Sequence, residues 1–286
     1  MPSAMNLENR TAVITGSASG IGRAIAISLA RRGCSLALAD VNDAGLSETA
    51  RMAELTQADP TNKAAPPSAL RISQHHIDVA DRRAVAAFPQ AVIALHPQVD
   101  ILVNNAGVAI GGTFEVVSEE DFEWLFEINF WGVLRMTRAF LPLLQKSDDA
   151  RLVNLSSVYG LISPPGQTAY SASKFAVRGF SNSLRHELVG SKVGVTVVHP
   201  GGVATSIADN ARVPKGMPPE EVAQRKAIAK KALRMPPEAA AEIIVKGIER
   251  RSPRVLVGND AKFLAFLERL APTSYWKIFS RLIPRS

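Results

Sequence analysis

Tyr170 and Lys174 stand four residues apart in the stretch TAYSASKFAV, so on a helix they share one face. An ammonium beside a phenol favours the phenolate and lowers the tyrosine pKa, which makes Tyr170 a usable acid or base near neutral pH. Ser157 lies thirteen residues earlier, closing the apolar run LVNLSS, where its hydroxyl can hydrogen-bond a substrate oxygen. A surface Tyr–Lys pair on a solvated helix is the plain alternative for that spacing alone. A second group suits a ligand that carries phosphate. Gly16-Ser-Ala-Ser-Gly20-Ile-Gly22 follows the apolar run TAVIT and opens the helical stretch RAIAISLARR. Glycines let a backbone approach a diphosphate closely, and a helix N-terminus supplies N–H groups and the positive end of its dipole. The spacing is GxxxGxG and not the GxGxxG of the usual dinucleotide fingerprint, so by itself it also fits a simple strand–helix turn. Asp40 ends the next apolar run. A carboxylate there can hold both hydroxyls of an adenosine ribose and repels a 2′-phosphate. Neither Ser19 nor Val41 offers a compensating positive charge, so NAD is favoured over NADP.

The other reactive side chains read as structural. His75 and His76 fall in an apolar run, His96 ends a helical stretch and His199 precedes Pro200. His186-Glu187 lacks the second histidine of HExxH, so no metal site is expected. Cys34 is the one cysteine and opens an apolar run, as a small core residue would. A lone cysteine excludes a disulfide framework and fits a reducing compartment.

The elements that must position these groups follow from apolar periodicity. Strands are predicted at Thr11–Thr15, Ser35–Asp40, Leu70–Ile77, Ile101–Asn104, Leu152–Ser156, Val193–His199 and Arg254–Val257. Stretches of helical period separate them, such as Ile21, Ile25, Leu29 and then Val85, Phe88, Val92, Leu95. Near-continuous apolar strands alternating with helices imply one doubly wound α/β unit with a parallel seven-stranded sheet. In that architecture the glycine loop, Ser157 and Tyr170 converge on the crevice outside the strands' carboxyl ends. Residues 56–69, TQADPTNKAAPPSA, are expected to form a surface loop, because Pro66-Pro67 suits neither element.

Composition narrows the class further. Of 286 residues, 47% are apolar and 21% charged, which excludes wholesale disorder. No run of eighteen apolar residues argues for a membrane span, and MPSAMNLENR has no secretory pattern. A soluble cytoplasmic protein is expected. The net charge of +7 is concentrated in residues 205–286, which hold sixteen Lys or Arg against eight Asp or Glu. A basic third on a neutral body suggests a local surface, not a nucleic-acid-binding protein.

TGSASGIG (15–22), Asp40, Asp78-Val79, NNAG (104–107), Asn129, SS (156–157), YSASK (170–174) and PGGVAT (200–205) together resemble the short-chain dehydrogenase/reductase family. The order and spacing agree over about residues 7–258. The resemblance implies a single Rossmann-fold dehydrogenase domain over 7–258, with a substrate lid at about 205–235 and an extension at 259–286. It implies an NAD(P)-dependent oxidoreductase acting on a secondary alcohol or ketone. It assigns Gly16, Ser19, Gly20, Ile21 and Gly22 to the diphosphate, Asp40 to the ribose, and Asp78 with Val79 to the adenine. Asn105, Ala106 and Gly107 would pass beside the cofactor. Pro200, Gly201, Val203 and Thr205 match the loop at the carboxamide end of the nicotinamide. Asn129 would kink its helix and hold a water for proton relay. Ser157 would orient the substrate oxygen and Tyr170 transfer the proton, while Lys174 binds the nicotinamide ribose and tunes Tyr170. A homo-oligomer, dimer or tetramer, is implied, with the helices of Asn129 and Tyr170 at its interface. An NADP-dependent carbonyl reductase and a cofactor-binding regulatory protein remain alternatives.

Two regions bear on substrate and surroundings. Ile207, Val213, Met217 and Val222 could give the lid an apolar underside, facing Val108, Ile110, Val158, Leu161 and Ile162, which favours a largely apolar substrate. In the extension, Phe263, Phe266, Leu267 and Leu270, then Trp276, Phe279, Leu282 and Ile283 after Pro272, recur at helical spacing. Lys262, Arg269, Lys277, Arg281 and Arg285 lie among them. Such a basic amphipathic segment either contacts a membrane interface or packs on the body or a partner subunit, the more usual fate of an apolar stripe.

Overall fold

The apolar runs become seven parallel strands in a computed structural model that describes residues 4–57 and 70–282. They are β1 (Thr11–Thr15), β2 (Ser35–Asp40), β3 (Ile72–His76), β4 (Ile101–Asn104), β5 (Ala150–Leu155), β6 (Val193–Pro200) and β7 (Arg254–Val257). Every residue of β1, β4 and β5 is buried, as a sheet with helices on both faces requires. The order is β3-β2-β1-β4-β5-β6-β7. The winding therefore reverses between β1 and β4, and a crevice opens outside their carboxyl ends.

One face of the sheet is covered by α1 (Gly20–Arg31), α2 (Asp43–Gln57) and α8 (Pro237–Glu249), through Ile25, Leu29, Leu46, Ile244 and Ile248. The other is covered by α3 (Arg82–Ile93) and α5 (Val133–Leu144), whose Phe88 and Phe140 meet edge to face at 5.2 Å. On the same side run α4 (Glu119–Phe126) and the long α6 (Thr168–Glu187). Between α4 and α5 the helix passes through a π-helical turn, Glu127–Gly132, that carries Asn129. Such turns are rare and mark places where a helix is reshaped around a site.

The boundaries differ from the sequence reading in four places, one of them β6, which runs on to Pro200 where the reading ended it at His199. β3 is shorter than Leu70–Ile77, and β5 runs from Ala150 to Leu155, which leaves Ser157 two residues past the strand. Thr56 and Gln57 belong to α2 and not to a loop, because Gln57 donates to the Cys34 carbonyl at 3.1 Å and so closes the helix onto β2. Pro66-Pro67 lies outside the described residues. Cys34 is buried, with burial pushing its thiol pKa up. His75 lies tilted 5.0 Å from Phe88, and Ser73 Oγ bridges His75 and His96 at 2.8 Å each.

The C-terminal third is helical. α7 (Pro219–Ala232) buries none of its residues. Beyond β7 come α9 (Asn259–Leu270) and α10 (Tyr275–Leu282), broken around Pro272. Ile283 and Arg285 lie outside the described residues. Among the described residues, no helix is long and apolar enough to cross a membrane, and no three His, Cys, Asp or Glu side chains cluster as metal ligands.

Candidate active site

The glycine loop between β1 and α1 is built for close backbone approach. Gly16 has φ +65°, and a Cβ there would lie 2.8 Å from Ala106 Cα. A Cβ on Gly22 would sit 2.1 Å from the Gly16 carbonyl oxygen, so only glycine lets the helix start fold back under the loop. Gly20 has φ +55°, and a Cβ there would touch Thr205 Cγ2 at 3.1 Å, which brings the segment after β6 to this rim. Ser19 N-caps α1 without a side-chain bond to it, so the first N–H groups of the helix have no intrahelical acceptor. Ile21 packs on the core beneath. Asn105 braces the loop from β4, donating to the Thr15 and Gly16 carbonyls at 3.0 and 2.9 Å. Thr15 Oγ1 accepts from the Asn105 and Ala106 N–H groups in return.

Asp40 ends β2 with Oδ2 accepting from Ala18 N (3.0 Å) and Oδ1 from Asn42 N (3.1 Å). A carboxylate held at this rim, a glycine cradle and the start of α1 suit the adenosine diphosphate of a dinucleotide. Arg23, which the sequence reading passed over, donates to Thr49 Oγ1 at 2.9 Å and to the Ala18 and Gly45 carbonyls, bracing the loop from below. Asp78 is exposed and accepts from Ala80 N at 2.9 Å, while Val79 is buried under Gly132 of the π-helical turn. Val203 is buried in the core, and the 200–205 segment is held by Gly201 N on Val257 O and Ala204 N on Met235 O.

On the other side of the crevice, α6 aligns Tyr170 and Lys174 as their spacing requires. Lys174 is buried, and its Nζ lies 5.6 Å from the Tyr170 ring centroid while donating to the Leu155 carbonyl at 3.2 Å. Gly107 makes room for it: a Cβ there would lie 3.4 Å from Lys174 Nζ and 3.2 Å from Asn129 Oδ1. Asn129 is buried, with Oδ1 accepting from Val108 N and Nδ2 donating to Val108 O and Ser173 Oγ. The π-helical turn is what aims this side chain inward. Ser157 opens a 3₁₀ turn, Val158–Gly160, and its Oγ accepts from Tyr159 N at 3.1 Å.

The electrostatics run against the expected direction for Tyr170. Burial pushes its phenol up to about 12, and the hydrogen bond with Ser157 only partly opposes this. Burial also lowers Lys174, to about 8. Burial is the largest cause of both shifts, and the Lys174 ammonium lies over the Tyr170 ring while donating to the Leu155 carbonyl. His199, at the end of β6, was read from sequence as an incidental neighbour of Pro200. Its Nδ1 lies 2.9 Å from the Ser157 carbonyl, and burial lowers it to about 4, so it is neutral and ties β6 to the serine turn.

A family profile described as short chain dehydrogenase matches residues 10–215, which span this whole crevice. The chain belongs to that family. SadH of Mycobacterium tuberculosis, described as an oxidoreductase, is 40% identical over 275 residues, covering 96% of this chain and 95% of its own. A short-chain dehydrogenase/reductase from Burkholderia phymatum in complex with NAD superposes with a TM-score of 0.82 at 29% identity, over 94% of this chain and 95% of that one. An alcohol dehydrogenase from Thermococcus sibiricus complexed with 5-hydroxy-NADP reaches a TM-score of 0.66 at 26% identity, over 87% and 96%. This short-chain dehydrogenase is thus an NAD(P)-dependent oxidoreductase acting on CH–OH groups, with a nicotinamide cofactor.

The surroundings of the crevice correct two details of the sequence reading. Val213 is exposed, and the 205–235 segment is fastened instead by Arg212. The Arg212 guanidinium pairs with Asp121 at 2.8 Å and lies 3.8 Å over the Trp124 ring, while the Arg212 backbone N–H donates to the Ala109 carbonyl. Val158 and Ile162 do not line open space; they pack with Ala261 and Leu264 of α9. Ile110 packs with Leu125 and Ala169, and Leu161 is likewise buried, which leaves Val108 half-exposed beside Tyr170.

Proposed function

We propose that this short-chain dehydrogenase oxidises secondary alcohols, or reduces the matching ketones, with NAD as the preferred cofactor and Tyr170 as general acid/base. The convergence of Ser157, Tyr170, Lys174 and Asn129 beside Gly107, across the crevice from the glycine loop, carries this reading. A bound nicotinamide supplies the hydride chemistry. Gly16, Gly20 and Gly22 would hold its diphosphate, and Asp40 the adenosine ribose. Ser157 orients the substrate oxygen. Tyr170, neutral at pH 7, donates a proton to a carbonyl oxygen in reduction and is left as phenolate; in oxidation it must first lose its own proton, and the phenolate then takes the proton from the alcohol. Lys174 supports the phenolate once the crevice is filled, and Asn129 fixes the Val108 backbone beside it. Half-exposed Val108 and Met217 favour a largely apolar substrate.

NADH formation across a panel of secondary alcohols, run in parallel with NAD and NADP, tests this. Turnover with an NAD preference is expected, and Asp40→Ala narrows that preference. A wild-type preference for NADP would reverse the cofactor reading, and tight NAD binding without turnover on any alcohol or ketone would favour a regulatory binding protein.

Two surfaces bear on partners and location. Trp131 of the π-helical turn and Phe175 of α6 stay exposed, which supports self-association through that face. Light scattering on the wild type and Trp131→Glu should show an oligomer that the variant loses. The outward face of α9 carries Phe263, Phe266 and Leu270, 46%, 61% and 67% exposed, beside Lys262 and Arg269. With Lys277 and Arg281 of α10, these cations outnumber Asp260 and Glu268 and suit an anionic lipid surface. Sedimentation with phosphatidylserine vesicles is expected; a dimer that depends on Phe266 would reassign the face.

A further inference from the structure

We propose that α9 and α10 are a positioning element of the active site, with Asp260 and Tyr275 as its positioning residues. This rests on the oxidoreductase reading above and extends it past Pro200–Thr205, the last motif on which that reading draws, to the chain beyond residue 258.

The two helices are fastened to both chain segments that border the crevice. Asp260, in the first turn of α9, turns its carboxylate to the segment after β6, where Oδ2 accepts from Gly202 N at 2.7 Å. The approach is close enough to demand glycines on both sides. A Cβ on Gly201 would lie 2.2 Å from Asp260 Oδ2, and one on Gly258, with φ +102°, 2.3 Å from Oδ1. Pro200–Thr205 also reaches Gly20 through Thr205, so Asp260 holds the loop that closes over the glycine cradle. A hydrogen bond to an ionised acceptor is stronger than a neutral one, and this one restrains a segment with few side chains of its own.

The second attachment is to the chain just after the serine turn and, by packing, to Val158 within it. Tyr275 Oη accepts from Ser163 N at 2.8 Å, across 112 residues of sequence. Ala261 and Leu264 are buried with Val158 and Ile162, and Tyr275 and Phe279 pack around them. Tyr159 joins the two attachments. Its N–H bonds Ser157 Oγ, and its ring meets Tyr170 edge-on at 6.1 Å. Burial and then the Asp260 carboxylate raise the Tyr159 phenol pKa, which places that carboxylate within electrostatic reach of it. The helices thus fix the spacing between the serine turn and the 200–205 loop, the two walls between which substrate and nicotinamide would meet. Positioning of this kind acts on rate without contact with the reacting atoms.

The test compares Asp260→Ala, Asp260→Asn and Tyr275→Phe with the wild type. NAD Kd from fluorescence titration, kcat and KM on the best alcohol of the panel, and the melting temperature are measured for each. Asp260→Ala is expected to weaken NAD binding about 10-fold and to lower kcat, with Asp260→Asn recovering most of both because it keeps an acceptor for Gly202. Tyr275→Phe keeps the ring packing and is expected to lower kcat about 5-fold with NAD Kd unchanged, because it touches only the chain just after the serine turn. NAD affinity and turnover at wild-type levels in all three variants, whatever their melting temperatures, would overturn the proposal. The NAD titration reads the Asp260 arm even if no alcohol is turned over, so failure of the activity reading and failure of this inference are separable. If Asp260→Ala does not fold, Asp260→Asn and Tyr275→Phe still decide.

Discussion

Tyr170 and Lys174 carry opposite shifts with one cause. Each is driven towards its neutral form by the dry crevice, the phenol up to about 12 and the ammonium down to about 8. At neutral pH the phenol is a proton donor, and Lys174 keeps most of its charge until the pH passes about 8. Carbonyl reduction should therefore hold steady through neutral pH and decline above about 8, which an initial-rate pH profile checks. The lowered Lys174 pKa also has a stability sign. Below about 8 the buried ammonium costs stability, and the cost fades as pH rises towards the ordinary lysine value. Lys174→Met removes that cost. Its melting temperature at pH 7 should equal or exceed the wild type's, while kcat falls at least ~100-fold. A destabilised Lys174→Met would contradict the account of the shift. The four-residue spacing made this pair legible in the sequence. The direction of the tyrosine shift was not, because it depends on how completely the fold excludes water from the phenol.

At the scale of elements, the glycine loop shows how little freedom the turn has. Gly22→Ala places a methyl 2.1 Å from a backbone oxygen that cannot move without opening the β1–α1 turn. That variant should lose NAD binding, read by fluorescence titration, and melt several degrees lower. The seven strands were legible because parallel strands buried on both faces leave unbroken Val, Ile and Leu runs. The π-helical turn was foreshadowed only by the family resemblance, which implied a kink at Asn129, and not by the local residue pattern. Glu127–Gly132 reads as ordinary helix, and the extra residue per turn appears only where Asn129 must reach Val108 and Ser173. Asp260 and His199 were missed for a similar reason. Their partners, Gly202 N and the Ser157 carbonyl, are backbone groups 58 and 42 residues away, and backbone partners leave no side-chain pattern to read.

Across the whole molecule, α8 is pinned to the cofactor-side helix by charge. Glu242 accepts from Arg32 at 2.9 Å and from Ser28 at 2.6 Å, and Arg32 also pairs with Glu249. The Arg32 hydrogen bond, chiefly, lowers Glu242 to about 2. The stabilisation is complete above the ordinary glutamate range and is lost as pH falls from there to about 2. Glu242→Gln should shrink the drop in melting temperature between neutral and acid pH, which calorimetry checks; an unchanged drop would show the pair to be a bystander. The same frame sets the walls of the crevice, and the account centres on proton transfer at Tyr170 between them. The most direct test measures Tyr170→Phe, which removes one oxygen and leaves the ring against Tyr159 and Val108. NADH formation on the panel alcohol and NAD Kd are read side by side with the wild type. The account predicts that kcat falls at least ~100-fold while NAD Kd stays within about 3-fold. A variant that keeps a tenth or more of the wild-type rate would contradict it.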